Sequence, residues 1–165
     1  MRECGECAEC CYIGYVPELD KKEHTICPFM KKTTCGSCSI FDKPNLPATC
    51  KNYRCGWLNG YGDDQDRPNN SGVMISDNII EDQRYFTAIE TKKDALKQES
   101  GLRVALDVSR STGVPILVVL FGQPLPNLGD QIIIHDKMLP NCKRIAGNLI
   151  SKHDDVGIYV LLKGN

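Results

Sequence analysis

The chain has 165 residues, the size of one ordinary domain or of one domain with a small appendage, so it can bury a core without special help. Twenty Lys and Arg stand against twenty-one Asp and Glu, and no basic run is dense enough for a nucleic-acid footprint. The opening Met1-Arg2-Glu3-Cys4 has no apolar signal region and no later stretch has about 18 uninterrupted apolar residues, so the expectation is a soluble cytoplasmic protein with no membrane and no nucleic-acid partner.

Apolar residues are unevenly spread. Residues 1–58 hold nine of Ile, Leu, Val and Met, and residues 59–165 hold thirty-two. The first third therefore cannot offset its ordering entropy by hydrophobic burial alone and needs a covalent or metal staple. The expected organisation is a cysteine-rich metal-binding module over 1–58, a turn-rich linker over 59–72 and an α+β domain over 73–165.

Ten cysteines occur, nine of them (Cys4, Cys7, Cys10, Cys11, Cys27, Cys35, Cys38, Cys50 and Cys55) within 52 residues. A disulfide framework and a metal site are the competing explanations. The series Cys4-x2-Cys7-x2-Cys10-Cys11, then Cys35-x2-Cys38, has the short spacing that lets two sulfurs on one tight turn reach a single ion. Gly5 and Gly36 lie inside these turns, where a side chain would obstruct amides that swing toward sulfur. The expected lack of a leader and the apolar second domain also favour metal over disulfides.

The segment Cys4-Gly5-Glu6-Cys7-Ala8-Glu9-Cys10-Cys11, followed by Cys27-Pro28-Phe29-Met30, Cys38-Ser39-Ile40-Phe41-Asp42 and Leu46-Pro47-Ala48-Thr49-Cys50-Lys51-Asn52-Tyr53-Arg54-Cys55-Gly56-Trp57, resembles the CxxCxxCC family of zinc- or iron-chelating domains, often called YkgJ-like. The likeness covers the first third of the chain, and Arg67-Pro68-Asn69-Asn70-Ser71-Gly72-Val73 extends it. The resemblance implies that Cys4, Cys7, Cys10, Cys11, Cys27, Cys38, Cys50 and Cys55 are the metal ligands. Two departures stand out. The family's Ile-Tyr-Glu-x-Arg-Pro stretch is Ile40-Phe41-Asp42 here, with two additional residues before Leu46-Pro47, so Leu46 replaces the Arg; and Cys35 is not demanded by the pattern.

Eight thiolates would fill two closed four-sulfur zinc sites, which are structural because no position is left for water or substrate. Cys-x2-Cys-x2-Cys also opens a ferredoxin-type run, but the fourth Cys three residues on, followed by Pro, is absent. Zinc is therefore favoured, as more than one ion by ligand number, with an iron–sulfur cluster as the alternative and Cu(I) third. Lys21, Lys22, Lys31, Lys32, Lys51 and Arg54 are interleaved with the cluster, either offsetting its negative charge or forming a solvated basic face.

Beyond the linker, whose acidic residues read as a solvated loop, Val73 to Ser76 and Arg84 to Thr91 read as strands. Leu102 to Ser111 reads as a helix with Ser100 as cap and Gly113 as stop. Pro115 to Phe121 suits a strand buried on both faces, with Gln131 to His135 and Val156 to Leu162 as neighbours. Asn141 to Lys152 reads as a second helix in which Cys142, Ile145, Ala146, Leu149 and Ile150 form one buried stripe, making Cys142 a core thiol. The fold class expected is thus α+β, a small metal-stapled module followed by a mixed sheet with two helices.

No phosphate loop, nucleophile elbow or paired-His motif occurs. His24 could replace a thiolate; His135 reads as a strand residue and His153 as a helix-end cation. Trp57 is expected to pack over the module. The leading function is non-catalytic metal binding, structural or sequestering, with a protein partner as one use of such a platform. The alternatives are an iron–sulfur redox or methyl-transfer enzyme, since flagellin lysine methylases resemble this family in the cysteine motif, and a metal-stabilised component of a larger, viral or envelope-associated, assembly.

Overall fold

A computed structural model describes residues 2–30, 38–41, 43–80, 83–114, 116–122, 131–135, 147–153 and 158–163. Its helices and mixed sheet place the chain in the α+β class. Strand β1 (Val73–Ile80) pairs antiparallel with β2 (Gln83–Glu90), Met74 opposite Ile89 and Ser76 opposite Thr87. β2 then runs parallel to β3 (Ile116–Val119). Parallel pairing needs a crossover, and helix α4 (Glu99–Thr112) supplies it. β4 (Gln131–His135), β5 (Gly147–His153) and β6 (Ile158–Lys163) continue the sheet in the order β1-β2-β3-β4-β6-β5.

Side chains alternate between the two faces of a strand, and here each face of the central strands is covered differently. Val73, Ile75, Phe86, Ala88, Ile116 and Val118 are buried against α4, which contributes Val104, Ala105 and Val108. On the other face Met74, Ile89 and Val119 pack with Ile13, Cys55 and Trp57, with Cys10 and Tyr53 partly buried beside them. The cysteine-rich segment is thus the second cover of the sheet. Its own short helices are α1 (Glu9–Ile13) and α2 (Ala48–Asn52).

The stretch read as a linker contains a 3-10 turn at Asp64–Asp66 and helix α3 (Pro68–Ser71). Its acids are not all solvated. Asp66 is buried, accepts the Asp63 N–H at 2.7 Å and pairs with Arg103 of α4. Glu90 closes the other end of the sheet: Oε1 accepts the Leu96 N–H at 2.9 Å and Oε2 the Phe121 N–H at 3.0 Å, tying the entry of the crossover to the exit of β3.

The expected helix over 102–111 begins three residues earlier, with Gln98 rather than Ser100 at its N-cap, and stops at Gly113, whose φ is +68°. Gly101 lies where this helix crosses the Ala95–Lys97 turn, and a Cβ there would stand 2.3 Å from the Ala95 carbonyl oxygen. Gly101→Ala raises helix propensity by up to about 1 kcal/mol, yet overpacking of this kind costs about 1–3 kcal/mol. Net destabilisation is expected, read as a lower urea midpoint with an unchanged m-value.

The second helix expected over 141–152 is corrected. Residues 147–153 form β5, paired antiparallel with β6 and bulged between Leu149 and Ser151. The apolar spacing that suits a helical stripe gives way to strand pairing with the apolar run of β6, a tertiary override of local pattern. His153 accordingly ends a strand, not a helix. Cys142 and residues 141–146, like Cys35, Gly36, Lys31, Lys32 and Pro115, lie outside the described residues. Among the described residues no helix is long and apolar enough to cross a membrane.

Candidate functional site

The eight thiols singled out from the sequence line a single cavity of about 800 Å³ between the cysteine-rich segment and the sheet, floored by Met74, Ser76 and Ile89. Several short elements deliver them. Cys4 and Cys7 share a tight turn closed by the Cys7 N–H on the Cys4 carbonyl at 3.0 Å. Gly5 adopts φ +54° in that turn, and a Cβ there would meet the Arg67 guanidinium at 3.2 Å, so glycine serves both the backbone and the close approach. Cys10 and Cys11 sit on α1. Cys27 opens a turn closed by the Met30 N–H at 3.0 Å, and Met30 bridges Cys38. Cys50 sits on α2, where the Glu18 carboxylate accepts the Thr49 N–H at 2.9 Å and its hydroxyl at 2.8 Å. Cys55 is buried beside the sheet, and the next residue, Gly56, donates its N–H to Ile75 of β1 at 2.7 Å.

The eight described cysteines are all free thiols. Among the described residues no group of three or more His, Cys, Asp or Glu side chains stands close enough to hold a metal ion as it is. The thiols share a cavity, but their sulfurs are not drawn together.

Crowding and burial tune these thiols. Burial pushes Cys4 up to about 11, with Cys55, Cys7 and Cys11 adding to the rise. Burial likewise raises Cys7, Cys38, Cys50 and Cys55. Within the vicinal pair, Cys10 donates its S–H to Cys11; this holds Cys10 well above the usual thiol range and brings Cys11 down to about 7, aided by Lys21. Several thiolates in one buried space repel, so the set stays largely protonated unless cations compensate. A soft dication would reverse that sign, since thiolates bind it on losing their protons.

The chain supplies some of this compensation itself. Lys21 is 4 % exposed. Its ammonium donates to the carbonyls of Tyr12 at 3.1 Å, Gly14 at 2.5 Å and Lys22 at 3.1 Å. Burial lowers its pKa, while Cys27, Cys11, Cys10 and Cys50 oppose that fall. Arg54 acts on Cys4 and Cys55. Of the four interleaved cations among the described residues, Lys21 and Arg54 act on the thiols, and Lys22 and Lys51 are exposed.

Trp57 packs over the module as expected, with the guanidinium carbons of Arg2 and Arg67 at 5.1 and 5.0 Å from its ring centre. Its indole N–H donates to the Asp63 carbonyl at 2.9 Å. Arg2 also donates to the carbonyls of Trp57, Tyr61 and Gly62, holding the N-terminus against that turn. Tyr53 donates to the Met74 sulfur at 3.4 Å, and burial drives its pKa far upward. Sequence reasoning singled out none of Arg2, Tyr53 or Met74 for the site. The apolar run Val73-Met74-Ile75 that opens β1 was the available signal for Met74.

His24 is not brought to the thiols. It adopts φ +53°, meets Tyr12 edge-on at 5.9 Å and lines a separate open cleft with Tyr15, Lys22, Glu23 and Gly122. Compared with known proteins, the chain matches no family model, no curated protein and no solved structure.

Proposed function

We propose that the chain is a non-catalytic metal-binding protein in which Cys4, Cys7, Cys10, Cys11, Cys27, Cys38, Cys50 and Cys55 hold zinc, as more than one ion, in a reducing compartment such as the cytoplasm. The observation that carries this reading is the gathering of all eight thiols around one cavity. A soft donor set with a buried ammonium beside it fits a soft cation better than any substrate chemistry in view. The likeness to the CxxCxxCC domains belongs to the same proposal and supplies the same ligand set. Metal uptake would draw the sulfurs inward, to about 2.3 Å from each ion, and the loaded segment would then serve as a rigid platform for a protein partner or as a store.

An iron–sulfur cluster is the second reading, favoured by one observation: the thiols share one roomy cavity rather than separate tight pockets. Anaerobic purification followed by elemental analysis and a visible spectrum separates the two. About two zincs per colourless chain are expected from the ligand number. A brown protein with iron and acid-labile sulfide would replace zinc by the cluster and reopen redox or methyl-transfer chemistry, and thiols oxidised in pairs without metal would sink both readings.

A further inference from the structure

On the reading that the cavity holds metal, we propose that Arg67 is a positioning residue of the metal site: stacked on Trp57, it braces the Cys4–Cys7 turn and supplies positive charge that the loaded thiolates need. Two of the eight ligands sit on that turn, and nothing apolar fixes it. Residues 2–8 include no buried side chain, and neither Cys4 nor Cys7 belongs to a hydrophobic cluster. Segments with few buried apolar contacts open at small free-energy cost, so polar contacts must set where these two sulfurs stand.

Such contacts converge on one place. The Arg67 guanidinium lies on the glycine of the turn, its Nη1 3.2 Å from where a Cβ on Gly5 would stand, and its central carbon is 5.0 Å from the Trp57 ring centre. Two residues on, the Asn69 N–H donates to the Cys7 sulfur. From the N-terminal side Arg2 reaches the same indole, 5.1 Å from its centre, and donates to the carbonyls of Trp57, Tyr61 and Gly62. Trp57 is itself buried and packed with Cys55 and Met74 on the sheet. The stretch 67–69 thereby carries the rigidity of the sheet to the Cys4–Cys7 turn, through a planar guanidinium that can stack on a ring and lie against backbone at once.

No carboxylate answers the charge of Arg67. It forms no ion pair among the described residues, and its buried Nε–H meets no acceptor there. Its neighbour Asp66 is committed to Arg103, while Arg2 has Asp64 at 3.6 Å. A partly buried cation without a counter-charge is costly to keep. Four thiolates around one dication carry a net charge of about −2, so the loaded site supplies the counter-charge that the neutral thiols do not. Groups of this kind, which touch no metal but orient its ligands, tune metal affinity.

The full-length wild type, Arg67→Met and Arg67→Lys are compared in two measurements: zinc affinity, by anaerobic competition with a chromophoric chelator, and the urea midpoint of the metal-free form. Arg67→Met is expected to lower zinc affinity about 10–100-fold, the range for groups that support metal ligands, while its metal-free midpoint stays at or above that of the wild type. A residue that merely holds the fold would lower both together, and that result overturns the proposal, as does a zinc affinity equal to the wild type's. Arg67→Lys keeps the charge but not the planar stack, and should bind zinc more tightly than Arg67→Met and less tightly than the wild type. Should Arg67→Met not fold, Arg67→Lys decides alone: lower zinc affinity at an unchanged metal-free midpoint supports the brace, and equality with the wild type overturns it. A wild-type chain that takes up no zinc overturns the functional reading itself.

Discussion

Stripping the metal from the loaded protein is expected to unfold most of residues 2–58 while β1, β2, β3 and α4 stay assembled. The aliphatic side chains that the first segment buries are Ile13, Val16 and Ile40, each contributing about 1.5–3 kcal/mol when fully buried. Structural zinc in small peptides contributes an apparent ~10–16 kcal/mol, so metal outweighs apolar burial there. The sheet is placed differently. Val73, Phe86, Val108 and Ile116 are fully enclosed between strands and helix without any help from cysteine.

Limited proteolysis of metal-loaded and metal-free protein checks this directly. Cuts in the metal-free form should fall first between Tyr15 and Lys51, where exposed residues are frequent, and readding zinc should restore protection. Cleavage patterns that are identical with and without metal would show that the segment holds itself together by other means. Docking of Ile13 and Trp57 on the sheet makes the expected loss graded, with the Val16 to Cys50 region lost ahead of α1.

Much of the sheet could be read in the residues themselves. Tyr85, Thr87 and Ile89 share one face of β2, β3 is an unbroken apolar and mostly β-branched run, and Gly113 ends α4, because strand pleat and helix termination are local properties of a few side chains. Cys4, Cys7, Cys10 and Cys11 were legible for a similar reason, since short Cys spacings have few physical uses, whereas Cys27, Cys50 and Cys55 were singled out by the resemblance to the CxxCxxCC domains. What pattern could not supply was tertiary choice. Leu149 and Ile150 fit a helical stripe equally well, and only pairing with β6 makes them part of a strand. Residues 64–71 looked like solvated punctuation because the pairing of Asp66 with Arg103 joins positions 37 residues apart. The docking of the cysteine-rich segment on Met74, Ile89 and Val119 was invisible for the same reason: the apolar face of β1 and β2 that receives it carries no mark of what will cover it.

Lys21 is the sharpest instance, and its removal should have a large effect. Between Asp20 and Lys22 it reads as a surface cation, yet the chain turns back through the Val16–Lys21 bridge, with Lys21 N–H to Val16 O at 3.1 Å, and buries the side chain. Lys21→Met keeps the length and bulk of the chain but removes the donor to three converging carbonyls and the positive charge beside Cys11, Cys27 and Cys50. An unsatisfied buried acceptor costs about 1–3 kcal/mol. Removing one partner of a buried charge constellation costs about 3–5 kcal/mol, and the loss here should approach the lower end because thiols can reprotonate. Zinc affinity should fall about 10–100-fold, as when groups supporting metal ligands are lost. Lys21→Arg should restore charge without stability, since a planar fork cannot direct its donors at three carbonyls as an ammonium does. Urea denaturation and zinc competition on the three proteins measure the two quantities separately. If Lys21→Met matched the wild type in both, the buried ammonium would have no part in holding either the loop or the thiolates.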